Sequence, residues 1–156
     1  MTMIDVLALC AFNAAYAEAI DGDALEQWPS FFTQACHYRI TNVENEREGL
    51  PAGIVYADSR AMLEDRIAAL REANIYEKQR YRHLLGVPLV QSADERSASA
   101  RTPFMVARIM HSGETTLFAT GVYQDRFEKV DGKLLLRERV AVCDSVVTDT
   151  LLALPL

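Results

Sequence analysis

The sequence predicts a single α+β domain, spanning residues 1–156, with helices at the start of the chain and a curved antiparallel sheet at its end. Apolar residues recur at helical spacing in the first part, whereas the last part alternates as strands joined by short turns. This order fits an architecture in which N-terminal helices pack on one face of the sheet. A long curved sheet around a helix forms a cone, which either holds a ligand or is filled by side chains.

Two helices are predicted before the first strand. Residues 3–20 carry apolar side chains at helical spacing, and Gly22 is predicted to form a left-handed cap at the end of this helix. Asp23 and Glu26 then match a capping box for a short second helix. Pro29 is expected to shorten or kink that helix.

The main helix is predicted after residue 57. Asp58 or Ser59 is expected to cap it, because short polar side chains accept hydrogen bonds from the first free backbone N–H groups. Leu63, Ile67 and Leu70 follow at helical spacing and form its predicted buried stripe.

The first strands are predicted around this helix. Residues 36–43 form a strand in which Cys36, Tyr38 and Ile40 share one face. Residues 54–56 are expected to form a short strand, and residues 80–90 a longer one with a bulge or an edge position near Gly86.

The sequence from residue 91 onwards predicts one loop and three long strands. Residues 91–101 are the least hydrophobic segment and predict a mobile loop. Strands are then predicted at about residues 102–111, 114–129 and 133–143. Two-residue hairpin turns are expected at Ser112-Gly113 and, as type I′, at Asp131-Gly132.

Composition excludes several classes of protein. The net charge of −6 argues against broad nucleic-acid binding, which requires a basic surface. Three widely spaced cysteines, Cys10, Cys36 and Cys143, indicate reduced thiols in a cytoplasmic protein and no disulfide framework. The N-terminus lacks the basic segment of a signal peptide, and no apolar run is long enough to cross a membrane.

No catalytic, cofactor-binding or metal-binding residue is predicted in this chain. His37, His83 and His111 lie on separate predicted strands, without a second histidine or cysteine at ligand spacing. The sequence also contains no GxSxG nucleophile motif and no glycine-rich phosphate loop.

One enzyme hypothesis and one binding hypothesis stay open. In the first, a free-standing cone-shaped isomerase or dehydratase would use Tyr38, Tyr56, His83 and Asp125 as converging acid–base groups. In the second, the cone binds a small molecule without catalysis.

Two further segments suggest contacts. Residues 80–83, RYRH, place two arginines on one strand face and Tyr81 and His83 on the other. The arginines would contact a carboxylate inside the cone, or would form an ion-paired face or a subunit contact. The apolar end, residues 151–156, is predicted to dock on a neighbouring subunit in preference to packing on its own core.

The sequence resembles the small (β) subunits of aromatic-ring-hydroxylating dioxygenases, which are Rieske non-heme iron enzymes. The similarity runs through AFNAAYAEAIDGDALEQWPSFFTQACHYRITNVEN, IVYADSRAMLEDRIAALREANIYEKQRYRH and the final DTLLALPL, and so covers nearly the whole chain. One departure follows Arg82-His83, where many members of the family have a polar strand ending in Asn-Val and this chain has LLGVPLV.

The resemblance implies a cone-shaped, nuclear-transport-factor-2-like fold and a non-catalytic, structural role. It implies a self-trimer of small subunits stacked on three large (α) subunits as α3β3. The Rieske 2Fe–2S cluster and the mononuclear iron would lie in the large subunit, with NADH used through a separate reductase. The implied reaction of the complex is cis-dihydroxylation of an aromatic ring.

Overall fold

The protein is described by a computed structural model that covers residues 2–49, 55–73, 78–145 and 154–156. The helices are α1 (Val6–Asp21), a 3₁₀ helix (Leu25–Phe31), α2 (Val43–Arg47) and α3 (Arg60–Ala73). The strands are β1 (Phe32–Asn42), β2 (Val55–Ala57), β3 (Gln79–Leu85), β4 (Leu89–Ala93), β5 (Ser97–Met110), β6 (Thr115–Val130) and β7 (Lys133–Cys143).

The strands form one curved sheet with the helices on its concave face, as predicted. The order is β2-β1-β7-β6-β5-β3, and β4 pairs with β5 beside this path. Among the described strands, β1 and β7 pair in parallel and the other neighbours are antiparallel. The concave face therefore faces α1 and α3, and the convex face is the outer surface of the sheet.

Helix α1 begins at a side-chain cap and ends against a glycine. The Asp5 carboxylate accepts from the Ala8 N–H at 2.9 Å. The left-handed cap predicted at Gly22 is wrong, because Gly22 has φ −85° and Asp23 takes the positive value of 60°. Gly22 is needed for space, since a Cβ there would lie 2.8 Å from the Glu18 carbonyl oxygen.

The predicted capping box is also wrong. The 3₁₀ helix has no side-chain cap, and it contains Pro29, which lacks the N–H that an α-helix would use. Asp23 and Glu26 instead contact α3, because Arg71 donates to their carboxylates at 2.9 Å and 2.7 Å. These ion pairs are largely exposed, so they orient α3 more than they stabilise it.

The main helix follows the prediction. Ser59 accepts from the Met62 N–H at 3.2 Å and caps α3. Leu63 and Ile67 are buried in the core, and Leu70 packs against it. Together with the aromatic side chains of the 3₁₀ helix and the sheet, they fill the space between α3 and the concave face.

The predicted mobile loop at residues 91–101 is wrong, because this segment forms a tight hairpin between β4 and β5. The Asp94 carboxylate accepts from the N–H groups of Arg96 and Ser97 at 2.7 Å and 2.8 Å. The predicted strand at residues 80–90 is interrupted after Leu85, where the Gly86 N–H donates to the Pro103 carbonyl oxygen at 2.8 Å.

One of the two turn predictions is confirmed. Asp131 and Gly132 have φ values of 52° and 76°, as a type I′ turn requires. The connection at Ser112-Gly113 is longer than predicted, because β5 ends at Met110 and β6 begins at Thr115. In the part of the chain that the structure describes, no helix has the length and apolar content needed to cross a bilayer.

Candidate functional site

The interior of the cone is filled by the end of the chain itself. Leu154 and Leu156 are 4% and 1% exposed. The Leu156 carbonyl oxygen accepts from the Tyr16 and Tyr38 hydroxyls at 2.8 Å and 3.0 Å, and the Leu156 N–H donates to Tyr38 at 3.1 Å. The predicted docking of the apolar end on a neighbour is therefore wrong for residues 154–156, while residues 146–153 lie outside the described part.

A buried ion pair joins α1 to the sheet. Arg139 on β7 donates to both carboxylate oxygens of Asp125 on β6 at 2.8 Å, and to the Asn13 Oδ1 of α1 at 2.6 Å. Both charged side chains are fully buried. The guanidinium lies between the rings of Tyr16 and Tyr123, 4.3 Å and 4.0 Å from their centroids. We call these five residues the Arg139 cluster.

Burial changes the acidity of the groups in and around this cluster. It raises the pKa of the Asp125 carboxyl, although the adjacent Arg139 opposes the rise. Burial also raises the pKa of Tyr16, and it raises the pKa of Tyr38 and of Tyr123 well above the ordinary value. Tyr16 and Tyr38 are therefore neutral hydrogen-bond donors to Leu156, and Tyr123 is a neutral side chain that packs its ring on Phe104, so all three have structural roles.

A second buried pair joins the end of α1 to β3. Asp21 accepts from the backbone N–H of His83 at 2.8 Å and from its ring Nδ1 at 2.7 Å. Because β3 ends the sheet, this contact occupies a main-chain donor that an edge strand would otherwise expose. The His83 Nε2 finds no partner among the described residues and is sealed from solvent, so it is not available to a substrate.

The four side chains of the acid–base hypothesis are not brought together. Tyr38 contacts Leu156, His83 contacts Asp21, and Asp125 contacts Arg139. Tyr56 lies outside the cone, 46% exposed, and donates to Asp58 at 2.9 Å. Each group is thus engaged in a separate structural contact.

The RYRH strand has the alternation predicted for it. Tyr81 and His83 point inward and are buried, whereas Arg80 and Arg82 point outward and are exposed. An arginine contact with a carboxylate inside the cone is therefore wrong, and the arginines belong to the outer surface.

The three histidines lie apart in the fold. His37 on β1 contacts Asp58 at 2.9 Å, His83 lies on β3, and His111 follows β5. Within the described ranges, no three His, Cys, Asp or Glu side chains are grouped closely enough to hold a metal ion. The described residues therefore do not fit an iron site.

The cysteines are free thiols in packed positions. Cys36 and Cys143 are buried and Cys10 is half-buried. Burial raises the pKa of the Cys36 and Cys143 thiols to about 11, so both are protonated and unreactive at neutral pH.

Sequence reasoning missed the partners that organise the interior. Asn13, Asp21 and Arg139 are polar residues, and each is buried. Their partners lie far away in sequence, 126 residues apart for Asn13 and Arg139 and 62 for Asp21 and His83. The available signal was Asp125, which alternates with Tyr123 and Phe127 on one strand face, since a charge on an apolar face requires a partner.

Comparison with known proteins agrees with this geometry. Residues 1–140 match the SnoaL-like domain family. The chain is 67% identical, over 99% of its length and 100% of the relative, to a terephthalate 1,2-dioxygenase terminal oxygenase component subunit beta 1 from a Comamonas species. It is 33% identical to the small subunit of anthranilate 1,2-dioxygenase from Burkholderia cepacia, over 90% and 88% of the two chains.

A solved structure has the same fold along nearly the whole chain. It is described as the beta subunit of an aromatic-ring-hydroxylating dioxygenase from Novosphingobium aromaticivorans, with a TM-score of 0.88 and 38% identity. The superposition covers 97% of this chain and 96% of that one. These similarities confirm the resemblance seen in the sequence: the chain belongs to the SnoaL-like domain family and, within it, to the small (β) subunits of aromatic-ring dioxygenases.

Proposed function

We propose that this chain is the structural β subunit of an oxygenase that dihydroxylates terephthalate. The substrate follows from the Comamonas relatives, which are 67% identical over 154 residues. The observation that supports a structural role is the filled interior, where Leu156 and the Arg139 cluster occupy the space that a substrate would need. The chain acts as one domain over residues 1–156.

The redox chemistry belongs to a large (α) subunit in this proposal. That subunit carries the Rieske 2Fe–2S cluster and the mononuclear iron, and a reductase supplies electrons from NADH. The complex is α3β3, with three copies of this chain in contact, and it works in the cytoplasm. The packed free thiols of this chain suit a reducing compartment.

Neither alternative has support from the described contacts. A free-standing isomerase or dehydratase needs an accessible acid–base group in the cone, and His83 is sealed there. A small-molecule binding module needs open space in the cone, and Leu156, which is 1% exposed, occupies the space beside the Tyr16 and Tyr38 hydroxyls.

The test is reconstitution with the large subunit. This chain is purified alone and after co-expression with the large (α) subunit of a terephthalate dioxygenase, and iron content, native mass and terephthalate oxidation are measured in each sample. We expect no iron and no turnover with the chain alone, and iron, turnover with a reductase and NADH, and a mixed complex after co-expression. Iron bound by the chain alone, or oxidation without the large subunit, would refute the proposal.

A further inference from the structure

A polar groove of about 750 Å³ crosses β4, β5, β6 and β7 beside the hairpin that joins β4 to β5. Its lining consists of hydroxyl, amide and charged side chains, together with Ala98 and Phe127, which belong to the core. Apolar ligands are held by apolar walls, and this groove has none outside the core. The groove therefore suits a small charged ligand.

The lining carries more positive than negative charge. Six of its charged residues are exposed or half-buried, namely Arg96, Arg101, Arg126, Arg137, Glu128 and Glu138. Asp125 also contributes to the lining, but its carboxylate is buried and bound by Arg139. Four guanidinium groups thus face two carboxylates here, in a chain whose net charge is −6.

The two glutamates occupy the arginines only in part. Glu138 lies 3.9 Å from Arg126, and Glu128 lies 3.6 Å from Arg137. Both distances exceed the roughly 2.8 Å of a charge-assisted hydrogen bond. Arg101 forms no ion pair with any residue in the described ranges. Since β5 and β6 have neighbours on both sides, these charges are not needed to protect a sheet edge.

The strand register brings four polar residues together in the groove. Ser92, Ser99 and Arg126 lie directly across from one another on β4, β5 and β6. Arg101 lies two residues beyond Ser99 on the same face of β5, so its Cα is about 7–8 Å diagonally from that of Arg126. Like charges at this spacing repel each other, and an anion between the two side chains would relieve that repulsion.

The serine hydroxyls add a hydrogen-bond donor at the same point. The Oγ atoms of Ser92 and Ser99 lie 2.7 Å apart, so one hydroxyl donates to the other. Because each hydroxyl has one proton, the pair uses one internally and keeps the second for a ligand. Two guanidinium groups and this hydroxyl pair together form a set of donors for oxygen atoms.

We propose that this groove binds a compact oxyanion with two or more negative charges, which is either a phosphate or a dicarboxylate. Arg101 and Arg126 hold it through the paired N–H groups of their guanidiniums, whose geometry matches carboxylate and phosphate oxygens. A second negative charge on the ligand is favoured because Arg96 and Arg137 line the same groove. The site goes beyond the proposed function, which assigns this chain no ligand.

Isothermal titration calorimetry measures this binding directly. Inorganic phosphate, succinate and acetate are each titrated, at one pH and one ionic strength, into the purified chain and into its complex with the large subunit. Succinate stands for the dicarboxylates, and acetate is the control with a single charge. We expect phosphate, succinate or both to bind once per chain with a dissociation constant below about 1 mM, and acetate to bind more weakly.

Substitutions of single charges in the groove should shift the affinity in opposite directions. Arg101→Gln and Arg126→Gln should each weaken binding about tenfold, because each removes a charge-assisted contact that is partly screened by solvent. Glu138→Gln should strengthen it by up to about fivefold, because it removes a carboxylate that competes for Arg126. Arg47→Gln, at an exposed arginine of α2 outside the groove, is the matched control and should leave the affinity unchanged.

The outcomes separate the possible ligands. Binding of phosphate alone identifies a phosphate site, and binding of succinate alone identifies a dicarboxylate site. Acetate bound as tightly as either, dissociation constants above about 1 mM for both larger anions, or an affinity unaffected by Arg101→Gln and Arg126→Gln would each overturn the proposal. Binding by the isolated chain but not by the complex would also overturn it, because another subunit would then cover the groove. Iron content and turnover test the proposed function separately, so either proposal can fail without the other.

Discussion

Replacing Arg139 by methionine should destabilise the fold strongly. The substitution leaves the Asp125 carboxylate fully buried without a cation, and it removes the donor at 2.6 Å from Asn13. Breaking a buried ion pair on one side costs roughly 3–5 kcal/mol of unfolding free energy. The charge between Tyr16 and Tyr123 is lost as well, so we expect the upper part of that range.

The assay is urea unfolding followed by the fluorescence of Trp28, the single tryptophan, which is fully buried. All variants are compared at one protein concentration, because assembly adds to apparent stability. Arg137→Met, at an arginine whose side chain is 62% exposed, is the control and should change little. Arg139→Met combined with Asp125→Leu removes both charges and should return to within about 1.5 kcal/mol of the wild type. A loss below about 1 kcal/mol in Arg139→Met would refute this reasoning.

Two further predictions concern the packed interior. Burial raises the pKa of Tyr16, Tyr38 and Tyr123, so these groups lose their protons at a lower pH in the unfolded chain than in the folded one. The free energy of unfolding should therefore fall as the pH rises above about 10, by up to about 4 kcal/mol per pH unit for the three groups together. The thiols of Cys36 and Cys143, whose pKa is also raised by burial, should begin this fall near pH 9. Denaturation curves at alkaline pH measure the fall, and an unfolding free energy that does not change with pH would contradict the prediction. Leu156→Ala should lower the unfolding free energy by roughly 2–5 kcal/mol, because it opens a cavity where a side chain is 1% exposed; a wild-type urea midpoint would show that the end of the chain does not fill the cone.

The hairpin between β6 and β7 shows how far the sequence could predict the interior. The type I′ turn at Asp131-Gly132 is predictable from the sequence. If the strand register set by this turn continued without interruption, Asp125 would lie opposite Glu138. A bulge between Arg126 and Phe127 shifts the pairing by one residue, so Asp125 lies opposite Arg139. The bulge determines whether the buried Asp125 carboxylate lies opposite a cation or an anion. No residue type in either strand predicts the position of the bulge.

The hairpin between β4 and β5 was missed for a different reason. Ala98 and Ala100 are buried while Ser97 and Arg101 are exposed, so the segment does alternate as a strand. Small side chains make this alternation weak, because alanine differs little from serine in size and hydrophobicity. The polar residues at the centre of the segment form a turn and not a mobile loop. Asp94 accepts from the N–H groups two and three residues later, and this is a common way for Asp to form a turn.

The leucines at the end of the chain form a contiguous apolar segment, which from sequence alone predicts docking on a neighbour. Pairing with Tyr16 and Tyr38 satisfies the backbone of Leu156 inside the cone, and this contact spans 140 and 118 residues of sequence. Only the folded sheet brings the two hydroxyls together. The apolar pattern of the last residues therefore predicts that the segment is buried. It does not predict which surface buries it.

The same fold thus divides its surfaces between two tasks. Inside the cone, the hydroxyls of Tyr16 and Tyr38 and the charges of Asp125 and Arg139 meet partners from the chain itself, which leaves little for a substrate to bind. On the convex face, Leu84, exposed beside two arginines without ion pairs among the described residues, has no such partner. A domain whose interior polar groups bind one another, and whose outer surface exposes apolar and charged side chains, is suited to contact with other subunits. Its mutations should therefore affect stability when they lie in the cone and assembly when they lie on the convex face, and variants that reverse this assignment would contradict the proposed division.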